Sequence, residues 1–329
     1  MRKTLLMSAL MLTLAACQSS EAPQQAAAPA PAPATEPAPA PAPATPPMAA
    51  SSPEFLAKLD AVIAGPQRDP ANAARDGFRH PRQTLEFFGL NSGQRVIEIT
   101  PGGGWYTEIL APALKDEGSY VAAIINPESV SNERAKEYYA KSNQGFRDKL
   151  AGNAEAYGSA EVLEFDMSAP NFGEDRSADL VVTFRNVHNW VGNDSVQGMF
   201  QGFYNVLKPG GVLGVVEHRA AADDTRELKD VAKTGYFPEA MVIEMAEKAG
   251  FKLAEKSEIN ANPADTKDHP NGVWTLPPGL NMKDVPEADQ AKYQAMGESD
   301  RMTLKFVKPK GDQIFEQGTD KATPEPAGN

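Results

Sequence analysis

Residues 96–107 read VIEITPGGGWYT: an apolar run carrying Glu98, then three consecutive glycines, then two aromatics. Glycine lacks a Cβ and tolerates positive φ, so the triplet allows a ligand to approach the backbone closely. The stretch that follows, WYTEILAPAL, reads as a helix whose first turn presents free N–H groups beside that loop. Two nucleotide motifs are excluded. A phosphate-binding P-loop needs Gly-Lys-Ser/Thr and no lysine is present, while a dinucleotide fingerprint needs a third Gly or Ala where this chain has Thr107.

Moving outward, apolar β-branched runs alternate with helical patterns, the signature of an α/β domain with a mostly parallel sheet covered on both faces. QRVIEI, SYVAAII, AEVLEF, ADLVVTF and GGVLGVVE supply five strands, and FKLAEKSEI and RMTLKFV supply a sixth and seventh. Between the fourth and fifth, Val196, Met199, Phe200, Phe203, Val206 and Leu207 recur at helical spacing, with Asn193, Asp194 or Ser195 as the cap. The Lys-Pro-Gly-Gly at 208–211 is expected to end that helix and turn the chain. Residues 238–250 read as another helix, and PEFLAKLDAVIAG and PRQTLEFFGL as extra helices before the first strand.

The glycine stretch resembles the first motif of the class I S-adenosylmethionine-dependent methyltransferases: an apolar strand with an acid, then a loop ending in Gly-x-Gly. Three later segments resemble that superfamily in the same order: EFDMSAP with Asp166, ADLVVTFRNVHNW, and LKPGGVLGVVEH. Together they cover about residues 83–260. The resemblance implies a seven-stranded Rossmann-like sheet, S-adenosylmethionine as cofactor, and a cofactor site at Glu98, Thr100, Gly102, Gly103, Gly104 and Asp166. Asp166 would hold the adenine amino group, and Gly102 and Gly104 would keep space for a methionine-like moiety. Thr100 stands where the superfamily usually has its first glycine. At the end of the second strand, where the superfamily usually has a ribose-binding acid, the chain offers Ile124 or Asn126, with Glu128 nearby. The whole chain resembles an exported, lipoprotein-like group of predicted methyltransferases.

Methyl transfer to an O–H or N–H acceptor needs a positioned nucleophile and a base. His188, in the segment after the fourth strand, is the first candidate, because an imidazole titrates near neutrality. Arg185 and Asn186 are expected to shape the cofactor pocket or orient a substrate carboxylate. Glu217 and His218 close the fifth strand as either a base with its orienting partner or an ion-paired loop. Asp76, Arg79 and His80 are placed to fold over the cofactor mouth. DHPNGVWTLPPG, residues 268–279, reads as a lid or an insertion covering the sheet's end. No HxxxH or HExxH spacing supports a metal, and none is expected.

The formal charge is −12, without the basic cluster that releases counterions from nucleic acid, so DNA and RNA are not expected partners. Residues 1–16 have the layout of a signal peptide. Leu14-Ala15-Ala16-Cys17 resembles a bacterial lipobox, which implies lipidation of Cys17 and an outer-membrane lipoprotein facing the periplasm, touching the membrane through its lipid alone. Residues 17–52 form an Ala/Pro-rich spacer favouring polyproline II. Residues 53–310 form the methyltransferase-like domain, and residues 311–329 a polar tail.

The function expected is methyl transfer to a small molecule or cell-envelope component. Export conflicts with a cofactor made in the cytoplasm, so a binding module that has lost catalysis is the alternative. A nucleotide-binding oxidoreductase is a third reading, disfavoured by Thr107.

Overall fold

The computed structural model describes residues 50–191 and 195–311. The signal, Cys17, all but the end of the spacer, the candidate caps Asn193 and Asp194, and nearly all of the polar tail lie outside the described residues. Among the described residues, four helices precede the sheet: α1 (Pro53–Ile63), α2 (Pro70–Ala73), α3 (Asp76–Arg79) and α4 (Pro81–Phe88). Then come β1 (Arg95–Ile99), α5 (Thr107–Leu114), β2 (Ser119–Ile125), α6 (Glu133–Gly152), α7 (Ala154–Tyr157), β3 (Glu161–Phe165) and β4 (Ala178–Phe184). The chain continues through α8 (Val187–Trp190), α9 (Val196–Val206), β5 (Leu207–His218), α10 (Leu228–Ala232), α11 (Glu239–Lys248), β6 (Lys252–Ser257), α12 (Glu287–Met296) and β7 (Arg301–Val307).

The seven strands form one sheet in the order β3-β2-β1-β4-β5-β7-β6. β1 to β5 run parallel, and β7 inserts antiparallel between β5 and β6. This is the seven-stranded, mostly parallel α/β architecture expected, with the extra N-terminal helices present. The strand order reverses between β1 and β4, so the crevice for a ligand lies at the carboxyl ends of those two strands.

The central strands are buried on both faces, which is why they read as continuous apolar runs. Ile97 and Ile99 face the core of α9 and α11, while Val96 faces that of α1, α4 and α5. Gly214 in β5 is required by packing, since a Cβ there would lie 2.7 Å from the Phe88 ring at the end of α4.

Local chemistry sets the helix starts. Ser52 accepts a hydrogen bond from the Phe55 N–H ahead of Pro53, and Asn132 accepts one from the Ala135 N–H. Ser195 stands at the start of α9, but its side chain makes no cap bond and its hydroxyl donates to the Trp190 carbonyl instead. The helix ends at Val206, just before 208–211 as expected, but those residues lie within β5 as an irregularity in its pairing with β4 rather than in a separate turn. β5 begins at Leu207, directly after α9, and runs through Gly210. Among the described residues, no helix is long and apolar enough to cross a membrane.

Candidate active site

The loop after β1 is held in a backbone conformation that glycine favours. Thr100, Gly102 and Gly104 have φ of 49°, 58° and 78°. Thr100 therefore takes the left-handed conformation that a glycine would adopt freely, at a cost of about 1–2 kcal/mol for a side chain with a Cβ. Its N–H donates to the Ala123 carbonyl, and its buried hydroxyl has no hydrogen-bond partner. Arg185, just past β4, is also left-handed at φ 62°. Asn186 ties the two strand ends together by donating its amide N–H to the Ile99 carbonyl (2.9 Å) and to Thr183 Oγ1 (3.2 Å). Two strained non-glycine residues thus mark the switch point, where strain commonly accompanies function.

Two cavities flank this loop. The first, of about 400 Å³, runs from Glu98, Thr100 and Gly103 past Arg185 and His218 to the wall formed by Trp274. The second, of about 200 Å³, lies between the loop, the ends of Ile124 and Ile125, and α6. Thr100, Pro101, Gly102 and Asn186 border both.

Open space lies over Gly102 and Gly103, where an added Cβ would meet nothing within 4 Å. Gly104 differs from the expectation that it keeps ligand space. A Cβ there would lie 3.2 Å from Lys149 Cδ and 3.3 Å from a Phe146 ring carbon, so α6 fills that side.

Glu98 is buried, and its Oε2 accepts from the Tyr120 hydroxyl (2.6 Å) and from Thr107 Oγ1 (3.2 Å). Burial pushes its carboxyl up to about 7, against the pull of those two hydrogen bonds. Because the folded pKa exceeds the ordinary value near 4.5, this group's contribution to stability is full below about pH 4.5 and lost as pH rises through about 7. The shift corresponds to about 3 kcal/mol. Glu98→Gln is expected to remove that pH-dependent component, seen by comparing urea midpoints at pH 5 and pH 7.5 in both proteins. An unchanged pH dependence in the variant would contradict a protonated Glu98.

The other residues singled out from the sequence divide by position. Arg185, Asn186 and His218 line the first cavity. Asn126 and Asp166 line neither of the two. The Asn126 carboxamide oxygen accepts from the Glu128 N–H, and Asp166 accepts from the N–H and hydroxyl of Ser168. Glu128 pairs with Lys136 rather than reaching back to the second strand. His188 and Glu217 do not line the first cavity, but the His188 ring lies 5.6 and 6.2 Å from those of His218 and Trp274, which do.

Successive strand residues point to opposite faces, so Glu217 and His218 do not pair through their side chains. Glu217 Oε1 lies 3.1 Å from His188 Nδ1, and its carboxylate also accepts from the His188 and His218 backbone N–H groups. His218 Nδ1 meets the Ser299 hydroxyl, and the two imidazole centroids are 5.6 Å apart. Burial, then the charges of His188, Arg185, Arg301 and Arg79, hold His218 well below its usual pKa, so its ring is neutral near pH 7.

Asp76 forms a two-pronged pair with Arg68, while Arg79 lines the first cavity. His80, left-handed at φ 42°, keeps a buried Nδ1 without a partner. Of the segment 268–279 read as a lid or an insertion, Val273, Trp274 and Leu276 to Gly279 line the first cavity.

Sequence reasoning missed Arg75, Glu298, Ser299 and Arg301 around the first cavity, and the α6 side chains Tyr139, Ser142 and Asn143 in the second. Among the described residues, no cluster of three or more His, Cys, Asp or Glu is arranged to hold a metal ion.

Residues 97–215 match a family model described as a methyltransferase domain. No curated protein matched. Among solved structures, the chain is similar to a SAM-dependent methyltransferase from Aquifex aeolicus at 14% identity, covering 77% of this chain and 98% of that chain with a TM-score of 0.47. It is also similar to an arsenic(III) S-adenosylmethionine methyltransferase from Chlamydomonas reinhardtii at 15% identity, covering 78% and 74% with a TM-score of 0.43. A phosphoethanolamine N-methyltransferase from Haemonchus contortus, in complex with S-adenosylmethionine, matches at 15% identity over 77% of this chain and 56% of its own, TM-score 0.47. Residues 97–215 are thus matched as a methyltransferase domain, set in a sheet with the strand order described above.

Proposed function

We propose that this protein is an S-adenosylmethionine-dependent methyltransferase acting on a small-molecule or cell-envelope acceptor. The observation that carries the reading is the open space over Gly102 and Gly103, between two adjoining cavities and beside the unpartnered Thr100 hydroxyl. The residues present fit the cofactor. Gly102, Gly103, Thr100 and Glu98 would hold it on the first-cavity side. In the second cavity Ser142, Asn143 and Tyr139 of α6 would serve in place of an acid at the end of β2. When bound, S-adenosylmethionine supplies an electrophilic methyl group on a sulfonium.

The chain's own contribution is placement and proton handling. Glu217, 3.1 Å from His188 Nδ1, holds that ring in place beside His218. His218, neutral and lining the first cavity, takes the acceptor's proton, with Ser299 orienting its ring. Export by a signal peptide, lipidation of Cys17 and a periplasm-facing position at the outer membrane are part of the proposal, resting on the sequence of residues 1–17.

Hydrogen exchange with S-adenosylhomocysteine tests the assignment. Slowed exchange is expected in residues 100–107 and 138–146. Protection confined to other segments, or none at saturating ligand, would remove the reading.

A further inference from the structure

The first cavity carries a cluster of positive charge that the reaction above does not use. Arg75, Arg79 and Arg301 converge on one buried carboxylate, Glu298, at 2.7, 3.0 and 3.1 Å. A fourth guanidinium, Arg185, lines the same cavity and makes no side-chain hydrogen bond or ion pair among the described residues. Four guanidinium groups therefore share one directly paired carboxylate, in a chain whose formal charge is −12.

The neighbouring acids do not close the deficit. Asp76 is taken by Arg68, and Glu108 by Lys149, with Arg68 3.7 Å away. Glu98 holds its proton until about pH 7. Burial and the charge of Arg185 pull Arg79 down to about 8, and burial and the charge of Arg301 pull Arg185 down to about 10. Arg75 keeps a buried Nη2 with no partner. Buried cations without counter-charge are costly, and a guanidinium fork matches the two oxygens of a carboxylate or phosphoryl group. The same cavity also has an apolar lining, from Val273, Trp274, Leu276, Pro277 and Pro278.

We infer that the first cavity selects an anionic acceptor: a small organic acid whose carboxylate or phosphoryl oxyanion docks on Arg185, Arg75 and Arg79 and whose apolar body lies against the Trp274 wall. This rests on the methyltransferase reading for the word acceptor, but not for the anion site itself. The oxyanion fixes the molecule in the cavity beside neutral His218, so charge recognition and proton removal fall on different groups.

The test titrates benzoate, phenyl phosphate and benzamide into the full chain, with and without saturating S-adenosylhomocysteine. At least one anion is expected to bind with cofactor product present, about tenfold or more tighter than isosteric, neutral benzamide; which anion is favoured tells carboxylate from phosphoryl. Arg185→Gln is expected to weaken the anion by about tenfold and to leave S-adenosylhomocysteine affinity within about threefold. Its melting temperature should not fall, because Arg185 makes no direct hydrogen bond or ion pair to lose and sits among like charges, and that measurement guards against a folding artefact.

Equal binding of benzamide overturns the inference. So does an Arg185→Gln protein that loses S-adenosylhomocysteine while retaining the anion, which would assign the cluster to the cofactor's own carboxylate. Anion binding without any S-adenosylhomocysteine binding would leave the anion site standing and remove the methyltransferase reading.

Discussion

Gly103→Leu is expected to weaken S-adenosylhomocysteine binding by about a hundredfold or more while leaving stability within about 0.5 kcal/mol. Gly103 is not in a positive-φ conformation, and a Cβ on it meets nothing within 4 Å. Leucine therefore adds bulk to open space without straining the chain, and that space is where the cofactor is proposed to lie. Gly104→Leu provides the contrast. At φ 78°, with Phe146 and Lys149 already against it, that substitution combines a left-handed side chain with overpacking, and is expected to cost about 2–4 kcal/mol. Urea unfolding and calorimetry on the two variants separate the ligand cradle from the scaffold behind it. Full affinity in a folded Gly103→Leu protein would put the cofactor elsewhere.

Glu298→Ala is expected to be among the most destabilising single substitutions in the domain, at about 3–5 kcal/mol. The carboxylate is 4% exposed and accepts from three arginines. Removing it strands those cations in a buried site, and the loss should be partly restored by sulfate, which can enter the cluster as a substitute anion. Although burial raises its pKa, the charges of Arg79, Arg301, Arg185 and Arg75 hold Glu298 down at about 2. Its contribution to stability is thus present above about pH 4.5 and lost as pH falls through about 2, the opposite sense to Glu98. A variant that unfolds at the wild-type urea midpoint would show that the cluster is solvated rather than buried.

The sheet was readable because each central strand is buried on both faces and so announces itself as an apolar run. The glycine loop was readable because a left-handed turn at a strand end leaves few alternatives to glycine. Thr100 shows the limit of that rule, since the chain keeps the left-handed φ with a residue that dislikes it.

The arginine cluster was not readable. Arg75 and Arg79 meet Glu298 across more than two hundred residues, and Arg301 reaches the site only because β7 pairs antiparallel with β5, setting it opposite His218. Nor does a strand pattern reveal which partner a buried acid will choose. Glu217 turned to His188 on α8, while its neighbour His218 turned to Ser299. Asp166 and Asn126 were singled out by their places at strand ends, but each side chain is engaged by its own turn, two residues on. The second cavity is lined instead by side chains of α6. Asn143, for example, donates to the Ile125 carbonyl at 2.9 Å.

The central claim is that the space beside Gly102 and Gly103 holds S-adenosylmethionine, and calorimetric titration of the protein with S-adenosylmethionine and S-adenosylhomocysteine tests it most directly. One-to-one binding is predicted for both. S-adenosylmethionine, which carries sulfonium and ammonium charges, should bind more tightly as pH rises through about 7 and Glu98 ionises, and Glu98→Gln should abolish that pH dependence. The absence of binding heat and of competition at millimolar cofactor, in protein shown to be folded, would contradict the account.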